Sequence, residues 1–207
     1  MTDQFNYRQF DYDFNLIPNR WIRERERAHD TAAIGLSPGH PAWGLLYYAV
    51  LAYLRPDEFN TILEIGTNHG ASTIILAQAL IDSGREGTVI TIEQSPILAE
   101  IAQAHFAKAD VDCRILSVVG DSKEILPGIT NSIRIAFIDG SHDCEDVVTD
   151  FENVMNILQP GGLVIMDNTT MGGVRDALTK MRQSYSGNFI EFPFVSWSPP
   201  GFVFWKL

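Results

Sequence analysis

The sequence predicts an α/β fold in which a mostly parallel sheet carries helices on both faces. From residue 61 onward, short apolar runs alternate with amphipathic segments of helical length, as strands and crossover helices do. The first run, residues 62–65, stops at Gly66 and opens into a helical pattern, which indicates a strand, a tight turn and a helix start. Polar residues follow several runs, and ligands collect at such strand ends in α/β sheets.

The alternation predicts the following elements. The strands cover residues 62–65, 88–92, 114–119, 133–138, 163–166, 189–194 and 202–205. The helices cover residues 43–54, 70–82, 96–108, 122–126, 144–158 and 174–185. The helix at 144–158 has the clearest period, because Val147 and Phe151 begin a helically spaced apolar face. Residues 159–162 are predicted to turn into the next strand, and residues 197–201 to join the last two strands as an antiparallel hairpin.

Length and composition indicate a single domain of 207 residues with a sizeable core. The net charge of -11, without an uninterrupted Lys/Arg cluster, argues against a nucleic-acid partner. The N-terminus lacks the order of a signal peptide, and no apolar run reaches the roughly 18 residues of a membrane span. We therefore expect a cytoplasmic protein without membrane contact. Two cysteines are too few for a disulfide framework or a zinc site.

Residues 1–35 show no clear period and are predicted to form an irregular N-terminal arm or lid on a core of residues 36–207. Aromatic side chains two or three residues apart mark the arm. They are Phe5, Tyr7, Phe10, Tyr12 and Phe14. Such a string could close over a substrate, pack on a second copy in a homo-oligomer, or clamp the arm onto the core.

The turn after the first strand, residues 66–70, reads Gly-Thr-Asn-His-Gly. Glycine permits positive φ and a close approach of a ligand to the backbone, and the following helix offers free N–H groups. The spacing departs from the G-x-G-x-x-G fingerprint of dinucleotide sites, and Glu64 stands two residues before the first glycine. A carboxylate there suits a ligand with an ammonium group, such as S-adenosylmethionine. The alternative is a purely structural connection between strand and helix.

Acidic residues also end the second and third strands. Glu93 follows residues 88–92, where an acid typically accepts hydrogen bonds from two ribose hydroxyls. Its alternative role is to cap the next helix. Gly120, Asp121 and Ser122 follow the third strand. This triplet could meet an adenine or cap the short helix behind it, and the sequence leaves both alternatives open.

Strands four and five end in a candidate metal site. Asp139 follows residues 133–138, and Asp167 and Asn168 follow residues 163–166. A right-handed crossover through the intervening helix would make these strands neighbours, about 4.8 Å apart. Two carboxylates and an amide oxygen then suit Mg²⁺, with positions left for substrate oxygens. The alternative is that one aspartate caps a helix and the other meets solvent.

His142 is the candidate general base, because it stands three residues after Asp139 in the loop before a helix. The unperturbed pKa of imidazole, about 6.5, suits proton abstraction from a hydroxyl near neutral pH. The alternative is a surface histidine at a helix start.

Together these segments resemble class I S-adenosylmethionine-dependent methyltransferases, and more narrowly the metal-dependent O-methyltransferases of catechol, caffeoyl-CoA and macrolide sugars. The resemblance covers about residues 60–175. It is carried by Leu63-Glu64-Ile65-Gly66-Thr67-Asn68-His69-Gly70-Ala71-Ser72, Thr91-Ile92-Glu93, Gly120-Asp121-Ser122, Phe137-Ile138-Asp139-Gly140-Ser141-His142 and Met166-Asp167-Asn168-Thr169. The resemblance implies a Rossmann-like seven-stranded sheet of order 3-2-1-4-5-7-6 with the last strand antiparallel.

The resemblance also implies a role for each candidate residue. It places the methionine end of the cofactor on Glu64, Gly66 and Ser72, within a turn that also contains Thr67, Asn68 and Gly70. The ribose falls on Glu93, and the adenine side on Gly120, Asp121 and Ser122. The metal ligands are Asp139, Asp167 and Asn168. Asp139 also counts as a cofactor-binding and catalytic residue, and His142 is the general base.

Two departures from the family pattern bear on the substrate. Asn68 stands where many methyltransferases have a second glycine, and Asn also tolerates the left-handed conformation. Residues 201–203 offer no acid at the start of the last strand, which counts against a catechol acceptor. We expect Mg²⁺-assisted O-methylation of a small sugar or phenolic hydroxyl. A metal-independent methyltransferase, a dinucleotide-dependent oxidoreductase and a non-catalytic nucleoside-binding protein remain the alternatives.

Overall fold

The computed structural model describes residues 14–35, 42–130, 132–192 and 201–206. Its centre is a seven-stranded sheet of order β3-β2-β1-β4-β5-β7-β6. The strands are β1 (Asn60–Ile65), β2 (Gly87–Glu93), β3 (Ile115–Val119), β4 (Ile133–Ile138), β5 (Leu158–Met166), β6 (Asn188–Phe192) and β7 (Phe202–Lys206). The first five run parallel, and β7 is antiparallel to both β5 and β6. The predicted order and the antiparallel last strand are confirmed.

Helices cover both faces of this sheet. They are α1 (Arg20–Ala28), α2 (Thr31–Ile34), α3 (Ala42–Tyr53), α4 (Ala71–Asp82), α5 (Pro96–Lys108), α6 (Ser122–Ile125), α7 (Cys144–Ile157) and α8 (Gly172–Ser184). The predicted helices of the core are therefore present, with ends within about two residues of the prediction. No helix in the described ranges is both long and apolar enough to cross a membrane.

The central strands are apolar on both sides because each face meets helices. In β4, Ile135 and Phe137 belong to the core shared with α3 and α4, whereas Ala136 and Ile138 belong to the core shared with α7 and α8. Residue-by-residue alternation in a strand assigns neighbouring side chains to opposite faces. The sheet is therefore the middle layer of three, and its strand ends are free to form a site.

The prediction of an irregular segment before residue 36 is wrong for residues 20–28, which form α1. The Asn19 side chain caps this helix by accepting hydrogen bonds from the backbone N–H groups of Trp21 and Ile22. Its amide also donates to the Ala109 carbonyl oxygen at 3.2 Å. Only two residues of α1 are buried, so the segment lacks the repeated apolar residues from which the other helices were predicted. Residues 1–13, with most of the aromatic string, lie outside the described residues.

The predicted turn at residues 159–162 is also wrong, because these residues lie inside β5. Leu158 already pairs with Ile133, and regular pairing resumes where Leu163 meets Ile135. The intervening residues form an irregularity in the ladder rather than a loop, with Gly161 at a φ of 71°. Most of the predicted hairpin loop at 197–201 lies outside the described residues.

Candidate active site

The carboxyl ends of β1, β2, β3 and β4 open onto one cavity of about 340 Å³. We call it the strand-end cavity. Seven of the residues predicted from the sequence line it, namely Gly66, Asn68, Glu93, Gly120, Asp121, Ser122 and Asp139. These residues come from four separate segments, and the parallel sheet brings them to one edge.

Gly66 is required by the packing of β1 against β4. Its φ is 96°, and a Cβ there would overlap the Asp139 carbonyl oxygen. Gly70, at the other end of the turn, has a φ of 84°, and a Cβ there would overlap the Phe106 ring. Side chains are therefore excluded at both positions. At Gly66 the backbone of the turn faces the cavity without a side chain in between.

Glu93 is held rigidly at the end of β2. Its Oε2 accepts a hydrogen bond from the Asn68 backbone N–H at 2.8 Å, and its Oε1 accepts one from the Ser95 N–H at 2.9 Å. Ser95, and not Glu93, caps α5 with its side chain. Each carboxylate oxygen keeps a further lone pair, so the fixed Glu93 can accept hydrogen bonds from a vicinal diol in the cavity.

Glu64 is fully buried and lies outside the cavity lining. Its Oε2 accepts a hydrogen bond from Thr91 Oγ1 at 2.6 Å and another from Thr73 Oγ1. Burial raises the pKa of the Glu64 carboxyl to about 7, against the opposing effect of the Ser72, Thr73 and Thr91 hydroxyls. Glu64 Oε1 is buried without a hydrogen-bond partner among the described residues. This unpartnered acceptor sits behind the glycine turn.

Three other residues of the predicted turn also lie off the cavity wall. Thr67 and Thr91 share a hydrogen bond of 2.5 Å between their hydroxyl oxygens. Ser72 is buried in the first turn of α4, and Gly70 packs against α5. These residues shape the turn from behind, whereas Gly66 and Asn68 form its cavity face.

Asp139 and Asp167 stand at the ends of adjacent strands, as predicted. The last ladder pair of β4 and β5 is Ile138 with Met166, so the two aspartates follow it side by side. Burial, the Asp167 carboxylate and Glu64 raise the pKa of Asp139 well above its ordinary value. Burial raises the pKa of Asp167 to about 7. The two acids thus form a poorly solvated pair of like charges, which a cation would relieve.

Asn168 follows this pair in the left-handed conformation, with a φ of 57°. Its backbone N–H donates to Asp167 Oδ1 at 2.6 Å, which occupies one position on that oxygen. Within the described part of the chain, no group of three or more His, Cys, Asp or Glu side chains is placed to hold a metal ion. The set predicted from the sequence instead combines two carboxylates with one amide.

His142 is exposed in the loop between β4 and α7 and is not part of the cavity wall. Its neighbours Gly140 and Ser141 do line the cavity. The backbone of this loop is fixed, because a Cβ on Gly173 at the start of α8 would overlap the His142 carbonyl oxygen. The imidazole makes no hydrogen bond to any described residue, so its ring nitrogens are free for proton transfer.

Sequence reasoning missed a polar network between α6 and α7 on the cavity wall. Ser122 Oγ donates to Asp150 Oδ1 at 2.6 Å, and Lys123 Nζ donates to Asp146 Oδ1 at 2.8 Å. Asp121 lines the cavity and also caps α6 by accepting a hydrogen bond from the Lys123 N–H, so both of its alternative roles are compatible. Asp150 could have been found, since it interrupts the apolar face of α7.

A family model described as a methyltransferase domain matches residues 63–169. The chain belongs to the methyltransferase domain family. The match covers β1 through the residues after β5, which carry every predicted site residue. The class of protein predicted from the sequence is therefore confirmed, and the family match favours a methyltransferase over a dinucleotide-dependent oxidoreductase.

Two curated relatives of this methyltransferase domain are O-methyltransferases. A catechol O-methyltransferase of Mycobacterium tuberculosis is 34% identical over 113 residues, which are 54% of this chain and 49% of the relative. The O-methyltransferase hkm8 of Aspergillus hancockii is 30% identical over 145 residues, 70% of this chain and 54% of the relative. The chain spans about half the length of these relatives.

A solved structure shares the fold of the methyltransferase domain over nearly its full length. It is the O-methyltransferase TomG from Streptomyces achromogenes, involved in tomaymycin synthesis and crystallised with S-adenosylmethionine. The TM-score is 0.75 at 24% identity, and the superposition covers 91% of this chain and 90% of TomG. The agreement confirms the Rossmann-like methyltransferase fold.

Proposed function

We propose that this methyltransferase domain transfers a methyl group from S-adenosylmethionine to a hydroxyl of a small sugar or phenolic molecule. The observation that carries the proposal is that Asp139 contributes to two adjoining parts of the site. It lines the strand-end cavity together with Glu93, and it pairs with Asp167 at the neighbouring strand end. A donor in the cavity and an acceptor at the aspartate pair would therefore meet at one residue.

The cavity residues fit the cofactor. S-adenosylmethionine supplies a methyl group already activated on a sulfonium, so the protein mainly has to orient the reactants and move a proton. The fixed carboxylate of Glu93 accepts hydrogen bonds from the ribose diol. Gly66 lets the methionine portion approach the turn backbone, and the unpartnered Glu64 Oε1 provides a negative group behind it for an ammonium.

The aspartate pair fits a divalent cation. Its carboxylates have raised pKa values because they are poorly solvated, and no described residue donates a hydrogen bond to the Asp139 carboxylate. Asp139, Asp167 and Asn168 would hold Mg²⁺ as three hard oxygen ligands, and the ion would lower the pKa of a bound hydroxyl. The three residues would also orient the acceptor oxygen toward the cavity.

His142 would accept the proton of that hydroxyl. Its loop begins at Asp139, its backbone is fixed against Gly173, and its imidazole is exposed and unpaired among the described residues. An imidazole with a free ring nitrogen can accept a proton from a hydroxyl within reach. The proposal also includes the other predictions made from the sequence. They are a small-molecule acceptor, no nucleic-acid or membrane partner, a cytoplasmic location and a homo-oligomer.

The test is methyl transfer from labelled S-adenosylmethionine to a panel of hydroxylated sugars and phenols, with and without EDTA. We expect turnover that EDTA abolishes and Mg²⁺ restores. Asp139→Ala should lose turnover and still bind S-adenosylhomocysteine, whereas Asp176→Ala, an exposed aspartate on α8, should behave as wild type. Turnover that survives EDTA would favour the metal-independent alternative, and full activity in Asp139→Ala would contradict the metal role.

A further inference from the structure

Asp150 is an acidic residue on the buried face of α7, where an apolar side chain would be expected. Helix α7 buries Val147, Phe151 and Val154 against the sheet, and Asp150 lies on the same side with only 2% of its surface exposed. A buried carboxylate costs free energy unless donors compensate it. The stability of α7 alone does not account for a carboxylate at this buried position, whereas a ligand that binds the carboxylate would.

The two oxygens of Asp150 differ in their partners. Oδ1 accepts the hydroxyl proton of Ser122 at 2.6 Å. Oδ2 receives no hydrogen bond from any described residue, and it lies beside Gly140, since a Cβ on that glycine would be 3.9 Å from it. Asp150, Ser122 and Gly140 all line the strand-end cavity. Oδ2 is therefore an acceptor that is open to the cavity and has no donor among the described residues.

Ser122 adds a second acceptor to the same wall. Because its only proton is donated to Asp150, its oxygen can offer the cavity nothing except lone pairs. Asp146, the next carboxylate along α7 in the wall, offers no comparable acceptor. Both oxygens of Asp146 are occupied, by Lys123 at 2.8 Å and by Ser141 at 2.9 Å. The Ser122–Asp150 pair is thus a pure acceptor edge facing the cavity.

We propose that the Ser122–Asp150 pair reads the 6-amino group of the purine and makes the cavity selective for adenosyl over inosyl ligands. The inference rests on the proposed function for the presence of an adenosyl cofactor. The amino group of adenine carries two N–H donors, one for each acceptor of the pair. A 6-oxo purine would instead turn a carbonyl oxygen toward two acceptors, which leaves buried groups unpaired.

The test compares dissociation constants of S-adenosylhomocysteine and its deaminated analogue, S-inosylhomocysteine, by calorimetry on the full chain. We expect the wild type to prefer the adenosyl compound roughly 10- to 100-fold, as is typical when a buried acceptor loses its donor. Asp150→Asn should bring this ratio close to one, because its amide can donate to the 6-oxo group while its oxygen still accepts from Ser122. Asp176→Asn, on the exposed side of α8 and outside the cavity lining, is the control and should keep the wild-type ratio.

Each outcome decides the inference. A wild-type ratio retained in Asp150→Asn would overturn it and leave the proposed function intact, since S-adenosylhomocysteine still binds. If Asp146→Asn or Asp121→Asn loses the preference and Asp150→Asn keeps it, another carboxylate recognises the base. That result would also overturn the inference. Absence of S-adenosylhomocysteine binding in the wild type would overturn both. If Asp150→Asn does not fold, Ser122→Ala carries the comparison, and an unchanged ratio in that variant contradicts the inference.

Discussion

The backbone N–H of Asn68 donates a hydrogen bond to Glu93 Oε2 across 2.8 Å, and this bond ties the glycine turn of β1 to the end of β2. Asn68 is in the left-handed conformation there, with a φ of 49°. The carboxylate that shapes the turn is thus the same one that faces the strand-end cavity. A substitution of Glu93 should therefore change both the conformation of the turn and the affinity for the cofactor.

Glu93→Gln should weaken S-adenosylhomocysteine binding by roughly 10-fold or more. The amide nitrogen cannot accept a hydrogen bond, so the variant loses the backbone N–H of Asn68 or of Ser95 together with any ribose hydroxyl on the same side. Each such loss costs about 1–3 kcal/mol. Calorimetry measures the change. Glu100→Gln, on the exposed side of α5, is the control and should bind like the wild type. Equal affinities in both variants would remove Glu93 from the binding site.

Glu64→Gln should change how the free energy of unfolding depends on pH. The folded pKa of Glu64, about 7, lies above its ordinary value of 4.5, so the folded state binds a proton that the unfolded state has lost. This contribution to stability is fully present below pH 4.5 and is lost as the pH rises through 7. Its size is roughly 3 kcal/mol for a shift of this extent.

Urea unfolding of the wild type and Glu64→Gln at pH 5 and pH 8 provides the measurement. The glutamine stays neutral, so the variant should gain stability relative to the wild type at the higher pH. Asp167 acts in the same direction in both proteins, whereas the pKa of Asp139 should be raised less in the variant, because Glu64 contributes to that shift, and this adds to the expected difference. Parallel changes in the two proteins between these pH values would show that Glu64 does not titrate as its burial demands.

Gly66→Ala should destabilise the protein far more than Gly84→Ala. Both glycines have positive φ, 96° and 66° respectively, so both alanines carry backbone strain of about 1 kcal/mol or more. Only at Gly66 does the Cβ also overlap backbone, at the Asp139 carbonyl, whereas nothing lies within 4 Å at Gly84. Thermal unfolding measures the difference. Similar melting temperatures for the two variants would mean that β1 and β4 can separate at little cost.

Asn19→Ala should cost roughly 1–3 kcal/mol of unfolding free energy, since it removes a helix cap and leaves the Ala109 carbonyl without its donor. Asp143→Ala is the matched control, because Asp143 occupies the N-cap position of α7 without a side-chain capping bond. That variant should unfold within about 0.5 kcal/mol of the wild type. Denaturant unfolding distinguishes the two results.

Much of the fold could be predicted because its pattern is local. Strands such as β4 are continuous apolar runs, and each is followed by a helix whose apolar face repeats at a different period. The adjacency of Asp139 and Asp167 followed from the handedness of one crossover. Helix α1 was missed because only Trp21 and Ile22 are buried in it, so it lacks the repeated apolar face that marks the other helices.

The candidate site, like the fold, could be predicted from the sequence only in part. Glu64 was predicted to lie near the ligand because it stands two residues before Gly66. In the structure its Oε2 is bound by Thr73 and Thr91, and only its Oε1 is without a partner among the described residues. The Ser122–Asp150 pair joins residues 28 positions apart, and neither belongs to a motif that joins them. Spacing predicted which segments reach the strand ends. The direction of each side chain depends on packing between helices that the spacing does not encode.

The antiparallel course of β7 brings its start to the carboxyl end of β5. Val203 pairs with Met166, and the Gly201 carbonyl accepts a hydrogen bond from the Thr169 N–H at 3.3 Å, so the start of β7 borders the aspartate pair. In the proposed function, every residue assigned to the cofactor lies at or before residue 150. Under that proposal, replacing the C-terminal hairpin with that of another family member should change which acceptor is methylated, while the affinity for S-adenosylhomocysteine, measured by calorimetry, stays the same.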